Sequence, residues 1–179
     1  MKRYFRICLL LLSLLALPAG AAGQSAAQDG EILAKVLEWV ASRRISASYR
    51  YETGGEVTVT GSGTLLLDGG CYLLRGNGLD VYCDGVTRWT VDPAAKEVYI
   101  EAAAEGQDYF SHPEAFVSQV SGLREEGGTI TGVFTDSGKG TVIRFSFSSI
   151  VGSPQQHRTQ EFAFDTAALD ASWVVTDLR

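Results

Sequence analysis

From Ile45 onward the apolar residues of this chain recur at every second position. They do so in short segments, each closed by glycine, Asp-Gly, Asn-Gly or Asp-Pro. A period of two fits only a strand with one face turned to a core, and such closely spaced turns leave no room for crossover helices. "ISASYRYE" sets Ile45, Ala47, Tyr49 and Tyr51 against Ser46, Ser48, Arg50 and Glu52. "EVTVTGSGTLLLD" continues through Val57, Val59, Leu65 and Leu67, and Gly61 and Gly63 within it predict a bulge or strong curvature. "CYLLR", "LDVYC", "VTRWTV" and "KEVYIEA" follow, then "TITGVFTD", "TVIRFSFSSI", "TQEFAFD" and "SWVVTDL". The expectation is a mainly β chain of about ten strands, a large curled antiparallel sheet or barrel.

Two stretches break this rhythm. "DGEILAKVLEWVASRR" places Ile32, Leu33, Val36, Leu37 and Val40 on one helical face. Its acids near the start and Arg43 and Arg44 at the end suit the helix dipole. "HPEAFVSQV" predicts a second helix with Phe116, Val117 and Val120 on one face, opened by Pro113. Two short helices over a curled sheet are the natural lid of a cavity.

The first residues have the build of a cleaved secretory signal: a basic "MKRYFR", an apolar run of eleven too short to span a bilayer, and a small-residue tail. Cleavage after Ala21, Gly23 or Ala27 is possible; residues 1–23 are taken as the signal and 24–179 as one domain. Its loss removes Lys2, Arg3 and Arg6 and moves the net charge from −6 to −9. So acidic a chain has no electrostatic case for nucleic acid.

Cys71 and Cys83 flank "YLLRGNGLDVY". With residues 76–78 as the loop they lie opposite each other, which predicts a disulfide; the alternative is a pair of buried free thiols. No sign of enzyme chemistry emerges. Asp84 and Asp92 sit at turns, and Glu97 and Glu101 alternate away from Val98 and Ile100. His112 and His157 lie in loops without partners at metal-ligand spacing, and no nucleophile elbow is present. The expectation is therefore a non-enzyme without cofactor or metal. What remains is abundant apolar and aromatic strand surface, more than two helices readily fill.

"GSGTLLLDGGCYLL", then "LDVYCDGVTRWTVDPAAKEVYI", and the closing "VVTDLR" together resemble the LolA-like periplasmic outer-membrane lipoprotein carriers, most of all the shorter Bacteroidetes-type members. The resemblance spans nearly all of residues 24–179. It implies a half-open β-barrel covered by about two helices, whose cavity carries lipoprotein acyl chains through the periplasm. It also implies a releasing transporter in the inner membrane, an acceptor at the outer membrane, and a monomeric carrier. The cavity would be lined by Tyr49, Tyr51, Val57, Val59, Leu65, Leu67, Leu73, Trp89, Val98, Ile100, Phe145, Phe147, Phe162 and Phe164. The lid would consist of Leu33, Val36, Leu37, Val40, Phe116, Val117 and Val120. Where well-studied members carry an arginine that ties the lid shut, this chain aligns Gly69; Arg75 is near but on a different strand. A sensor or binding module on the same half-barrel, and a dry-cored envelope protein, are the alternatives.

Overall fold

The computed structural model describes residues 20–54, 58–103, 119–136 and 140–179. One helix, α1 (Gly20–Ser42), leads directly into a ten-stranded sheet. The strands are β1 (Arg43–Gly54), β2 (Thr60–Asp68), β3 (Cys71–Gly76), β4 (Leu79–Cys83), β5 (Thr87–Asp92), β6 (Glu97–Ala102), β7 (Val120–Glu126), β8 (Thr129–Asp136), β9 (Thr141–Pro154) and β10 (Val174–Asp177). Across the sheet they run β10-β6-β5-β4-β3-β2-β1-β9-β8-β7. All neighbours are antiparallel except the edge pair β10–β6. The sheet is open, with β10 and β7 as its edges. No helix among the described residues is long and apolar enough to cross a membrane.

Turn chemistry sets the register. Asn77 (φ 55°) and Gly78 (φ 81°) form a two-residue hairpin loop in which both φ are positive, and Gly76 pairs with Leu79. The Asp84 carboxylate accepts from the N–H groups of Val86 and Thr87 (2.9 and 2.8 Å), and Asp92 does the same for Ala94 and Ala95 (3.0 and 2.9 Å). These Asx turns join β4 to β5 and β5 to β6.

Several expectations need correction. The helix begins nine residues before Asp29, so Asp29 is mid-helix, while Arg43 and Arg44 already belong to β1. Of the second expected helix, Phe116 and Val117 lie outside the described residues and Val120 opens strand β7. "TQEFAFD" is no strand: Thr159–Phe162 form a 3-10 turn. Of the bulge or strong curvature expected at Gly61 and Gly63, the bulge is absent: both sit in unbroken register with β1, and the shifts fall at Ser46/Ser48 of the β1–β9 pair and Ser121/Arg124 of the β7–β8 pair. The glycines instead make room for aromatic rings. A Cβ on Gly61 would stand 2.4 Å from Tyr51, and one on Gly63 would stand 2.0 Å from the Arg75 carbonyl oxygen.

The disulfide is likewise absent: Cys71 and Cys83 are free and buried. The two-residue turn pairs Cys83 with Tyr72, not with Cys71. Since successive side chains alternate, one step of register puts the two thiols on opposite faces of the sheet. Burial pushes the Cys71 thiol up, away from the reactive thiolate.

Both faces of the sheet are covered, by different parts of the chain. On one face α1 lies over Ile45, Leu65, Leu67, Tyr72 and Cys83 through Trp39 and Val40, and over Leu123 and Ile130 through Ile32, Leu33 and Val36. On the other, the segment after β9 straps back across the sheet. Phe164, Leu169 and Trp173 pack on Val91, Val98 and Ile100. The strap is pinned at its start by Asp68, whose Oδ2 accepts from the N–H groups of Gln156 and His157 (both 3.1 Å). Arg44 reaches from Asp68 (3.5 Å) to Glu161 (2.6 Å) and lies over the Phe162 ring.

Candidate functional site: an apolar hollow beneath the helix

Between α1 and the sheet lies a hollow of ≈130 Å³. Four helix residues roof it, Leu33, Val36, Trp39 and Val40. Ile45, Ala47, Leu65 and Leu67 form one wall, and Val120, Leu123, Ile130, Phe145, Phe147 and Ile150 the other. Every lining residue is apolar. Such a space stays dry, because water inside it would find none of the two to four polar partners it needs.

The lining follows from strand pairing. Ile45 faces Leu67 and Ala47 faces Leu65, while Phe147 faces Ile130, so these side chains share the helix-covered face. Phe145 lies opposite Gly132, and a Cβ there would come 2.7 Å from its ring. The glycine lets the ring settle against β8. Residue 47 carries only a methyl group, and the hollow lies where a larger side chain would have reached.

Few polar contacts hold the roof. Lys35 pairs with Glu125 of β7 (2.7 Å) and lies over the Trp39 ring (5.1 Å). Asp29 Oδ2 accepts from the Gly122 N–H (2.8 Å), and Gln155 donates to the Ala41 carbonyl (3.2 Å). The Lys35 and Glu125 side chains are more than a third exposed, so their pairing stabilises by about 1 kcal/mol at most. Among the described residues the rest of the attachment is apolar contact.

Of the residues expected in the cavity, Leu65, Leu67, Phe145 and Phe147 line the hollow. Tyr49 packs beside it, and Tyr51 sits on the same face farther along β1, its hydroxyl accepting from Asn77 Nδ2 (3.1 Å). Val57 lies outside the described residues, and Val59 is half exposed. Trp89, Val98, Ile100 and Phe164 belong to the cluster under the strap. Leu73, paired with Leu66 and Tyr82, shares that far face, and Phe162 is buried there beneath Arg44. The expectation of one shared core fails for these six because the sheet has two covered faces.

Among the lid residues, Leu33, Val36 and Val40 roof the hollow; Val120 lines it as a strand residue. Leu37 does not line it. Sequence reading missed Trp39, Ile45, Ala47, Leu123, Ile130 and Ile150. Trp39 was legible in principle, lying three residues beyond Val36 on the stripe that Ile32 begins. Leu123 was not, as the single buried residue of the otherwise polar "SGLREE".

The carboxylates of residues 83–101 serve local structure. Asp84 and Asp92 cap turns, Glu97 accepts from the Tyr99 hydroxyl (2.8 Å), and Glu101 binds Arg88 (2.7 Å). No charged residue lines the hollow among the described residues; Lys35 and Glu125 pair between its roof and β7. Comparison with known proteins finds no family model that matches the chain and no matching curated protein.

Proposed function

We propose that this protein is a periplasmic carrier chaperone. It takes the acyl chains of lipoproteins into the hollow beneath α1 and conveys them from the inner to the outer membrane, as its resemblance to the LolA-like carriers suggests. The residues before the domain act as its export signal. The curled sheet serves as a half-open barrel, and α1 is a displaceable lid. The observation that carries this reading is the all-apolar lining of a space left unfilled between helix and sheet.

At ≈130 Å³ the partly open hollow is smaller than ordinary ligand pockets, which start at about 300 Å³. It is a starting gap, and an acyl chain enters by displacing α1. The energies favour this. A chain of about sixteen carbons gains on the order of 10 kcal/mol on burial, at about 0.8 kcal/mol per methylene. The apolar face of α1 re-forms contacts with the chain it covers, so the main loss is the few polar ties described above. Release into a receiving site then needs only a competing apolar surface.

The test is native mass spectrometry of the exported protein co-expressed with an abundant lipoprotein. The reading expects a complex whose added mass is the acylated lipoprotein, displaced by free fatty acid. An apo spectrum under those conditions refutes it.

A further inference from the structure

The face of the sheet turned away from α1 has its own polar site near the ends of β1, β2 and β9. In the observed register Arg50 lies opposite Ser62 on one side and Ser146 on the other. Glu52 lies opposite Thr60 and Arg144. Directly paired residues project to the same face, so these six side chains form one patch. With Tyr51, Gly61, Phe145 and Asn77 they line an open groove of ≈530 Å³.

The two arginines are diagonal neighbours across the β1–β9 pair, a separation of about 7–8 Å at the backbone that long side chains easily close. Arg44, Arg75, Arg88 and Arg179 each have a carboxylate within 4 Å. Among the described residues Arg50 and Arg144 have none, as is also true of Arg43, Arg124 and Arg158; what sets the pair apart is that they share one strand-paired patch, where even Glu52, directly across from Arg144, forms no bridge with it. The chain has 21 acidic and 15 basic residues, so uncompensated arginines side by side are not forced by composition. Adjacent like charges repel, and a bound anion turns that repulsion into attraction. The hydroxyls of Thr60, Ser62 and Ser146 surround the pair as neutral donors.

We propose that this groove binds a phosphate group, with Arg50 and Arg144 as a two-pronged clamp and Ser62 and Ser146 completing its hydrogen bonds. Glu52 weakens the site and sets its affinity. The source is either a phospholipid headgroup or free phosphate, which present the same chemistry. The clamp side chains project from the face of the sheet opposite the hollow, and Phe145 borders both spaces.

The experiment has two arms, each run on the purified protein, Arg50→Gln/Arg144→Gln and Glu52→Gln. In the first, inorganic phosphate is titrated at constant ionic strength against chloride, following amide NMR shifts. In the second, co-sedimentation compares phosphatidylcholine vesicles with vesicles containing phosphatidylglycerol. Shifts should cluster at residues 50–52, 60–62 and 144–146. The double variant should weaken binding about tenfold or more, and Glu52→Gln should tighten it a few-fold. Binding in both arms, or in one alone, supports the site; vesicle binding alone assigns the headgroup as the source, phosphate alone the free ion. The proposal is overturned by no binding in either arm, or by binding that neither substitution changes. Because Glu52→Gln predicts a gain, misfolding of the double variant does not rescue a failed proposal.

Discussion

Ala47→Leu separates a hollow protein from a solid one, because the two predict opposite signs. Ala47 is buried and lines the hollow between Ile45, Leu65 and Phe147. An enclosed apolar cavity costs about 24 cal/mol per Å³, so about 3 kcal/mol is the ceiling for a partly open hollow of ≈130 Å³. Leucine adds three carbons, a transfer gain of about 2.4 kcal/mol at 0.8 kcal/mol each. Fitting them to the walls returns about 1 kcal/mol as strain. The variant should therefore be more stable than the parent by about 1–2 kcal/mol. Urea unfolding should show a higher midpoint with an unchanged slope. Uptake of an environment-sensitive fluorescent fatty acid should fall at the same time, since the added side chain occupies the space an acyl chain enters first. In a solid core the same leucine overpacks and destabilises by about 1–3 kcal/mol. A lower urea midpoint together with undiminished fatty-acid uptake would refute both the hollow and its role.

Three other perturbations test different parts of the fold. Gly63→Ala forces a Cβ to within 2.0 Å of the Arg75 carbonyl oxygen, which backbone cannot yield cheaply; a loss of about 3 kcal/mol or more in urea unfolding is expected. Unfolded, unreduced protein should label at both Cys71 and Cys83 with a thiol reagent, and native protein at neither, as two buried free thiols require; blocked thiols after unfolding would restore the disulfide. Arg44 holds the Glu161 carboxyl below its ordinary range. A carboxylate with a depressed folded-state pKa contributes its stability above the unfolded value and loses it as pH falls through the folded one. Hydrogen-exchange protection factors at residues 156–164, corrected for the intrinsic rate at each pH, should therefore stay high at neutral pH and fall on acidification below about pH 4, with Glu161→Gln removing the dependence.

The division between legible and illegible parts of this fold follows from what burial does to a strand. Alternation was readable in β1 because Arg50 and Glu52 stay exposed while Ile45 and Ala47 are buried. Strand β4 is packed on both faces, so "VYC" reads as apolar without a direction, whereas β6 alternates with Tyr99 exposed, and its pattern does not tell that the strap and not the helix covers its buried side. Trp89, Val98 and Ile100 were then assigned to the wrong side. The cysteine pairing failed for a smaller reason: counting Gly76 into the turn lengthened the loop by one residue, enough to flip the partner. Phe162 and Phe164 mimic a strand by alternation, but "TQEF" turns as a 3-10 helix because its backbone neighbours are held by Asp68 and Arg44. Those contacts arise between residues some ninety positions or more apart, beyond the reach of any local pattern.

Which of the two covers can open follows from how each is fastened. The strap buries Phe162 completely and extends into β10, whose backbone pairs with β6. It is anchored on Asp68, whose carboxylate is fully buried with one oxygen accepting two backbone N–H groups. Freeing the strap removes two backbone donors from that carboxylate and leaves it Arg44 alone, a loss of about 1.5–3 kcal/mol for each hydrogen bond to the charged group before any apolar surface is counted. Among the described residues the helix has no such anchor. Its ion pair there is more than a third exposed, its other ties are single hydrogen bonds, and beneath it a hollow interrupts the apolar packing. An intruding apolar chain meets the lower barrier at α1 and replaces the contacts it breaks there, whereas at the strap it would replace nothing. The hollow and the weakly tied element are on the same face of the sheet, as uptake through a moving lid requires.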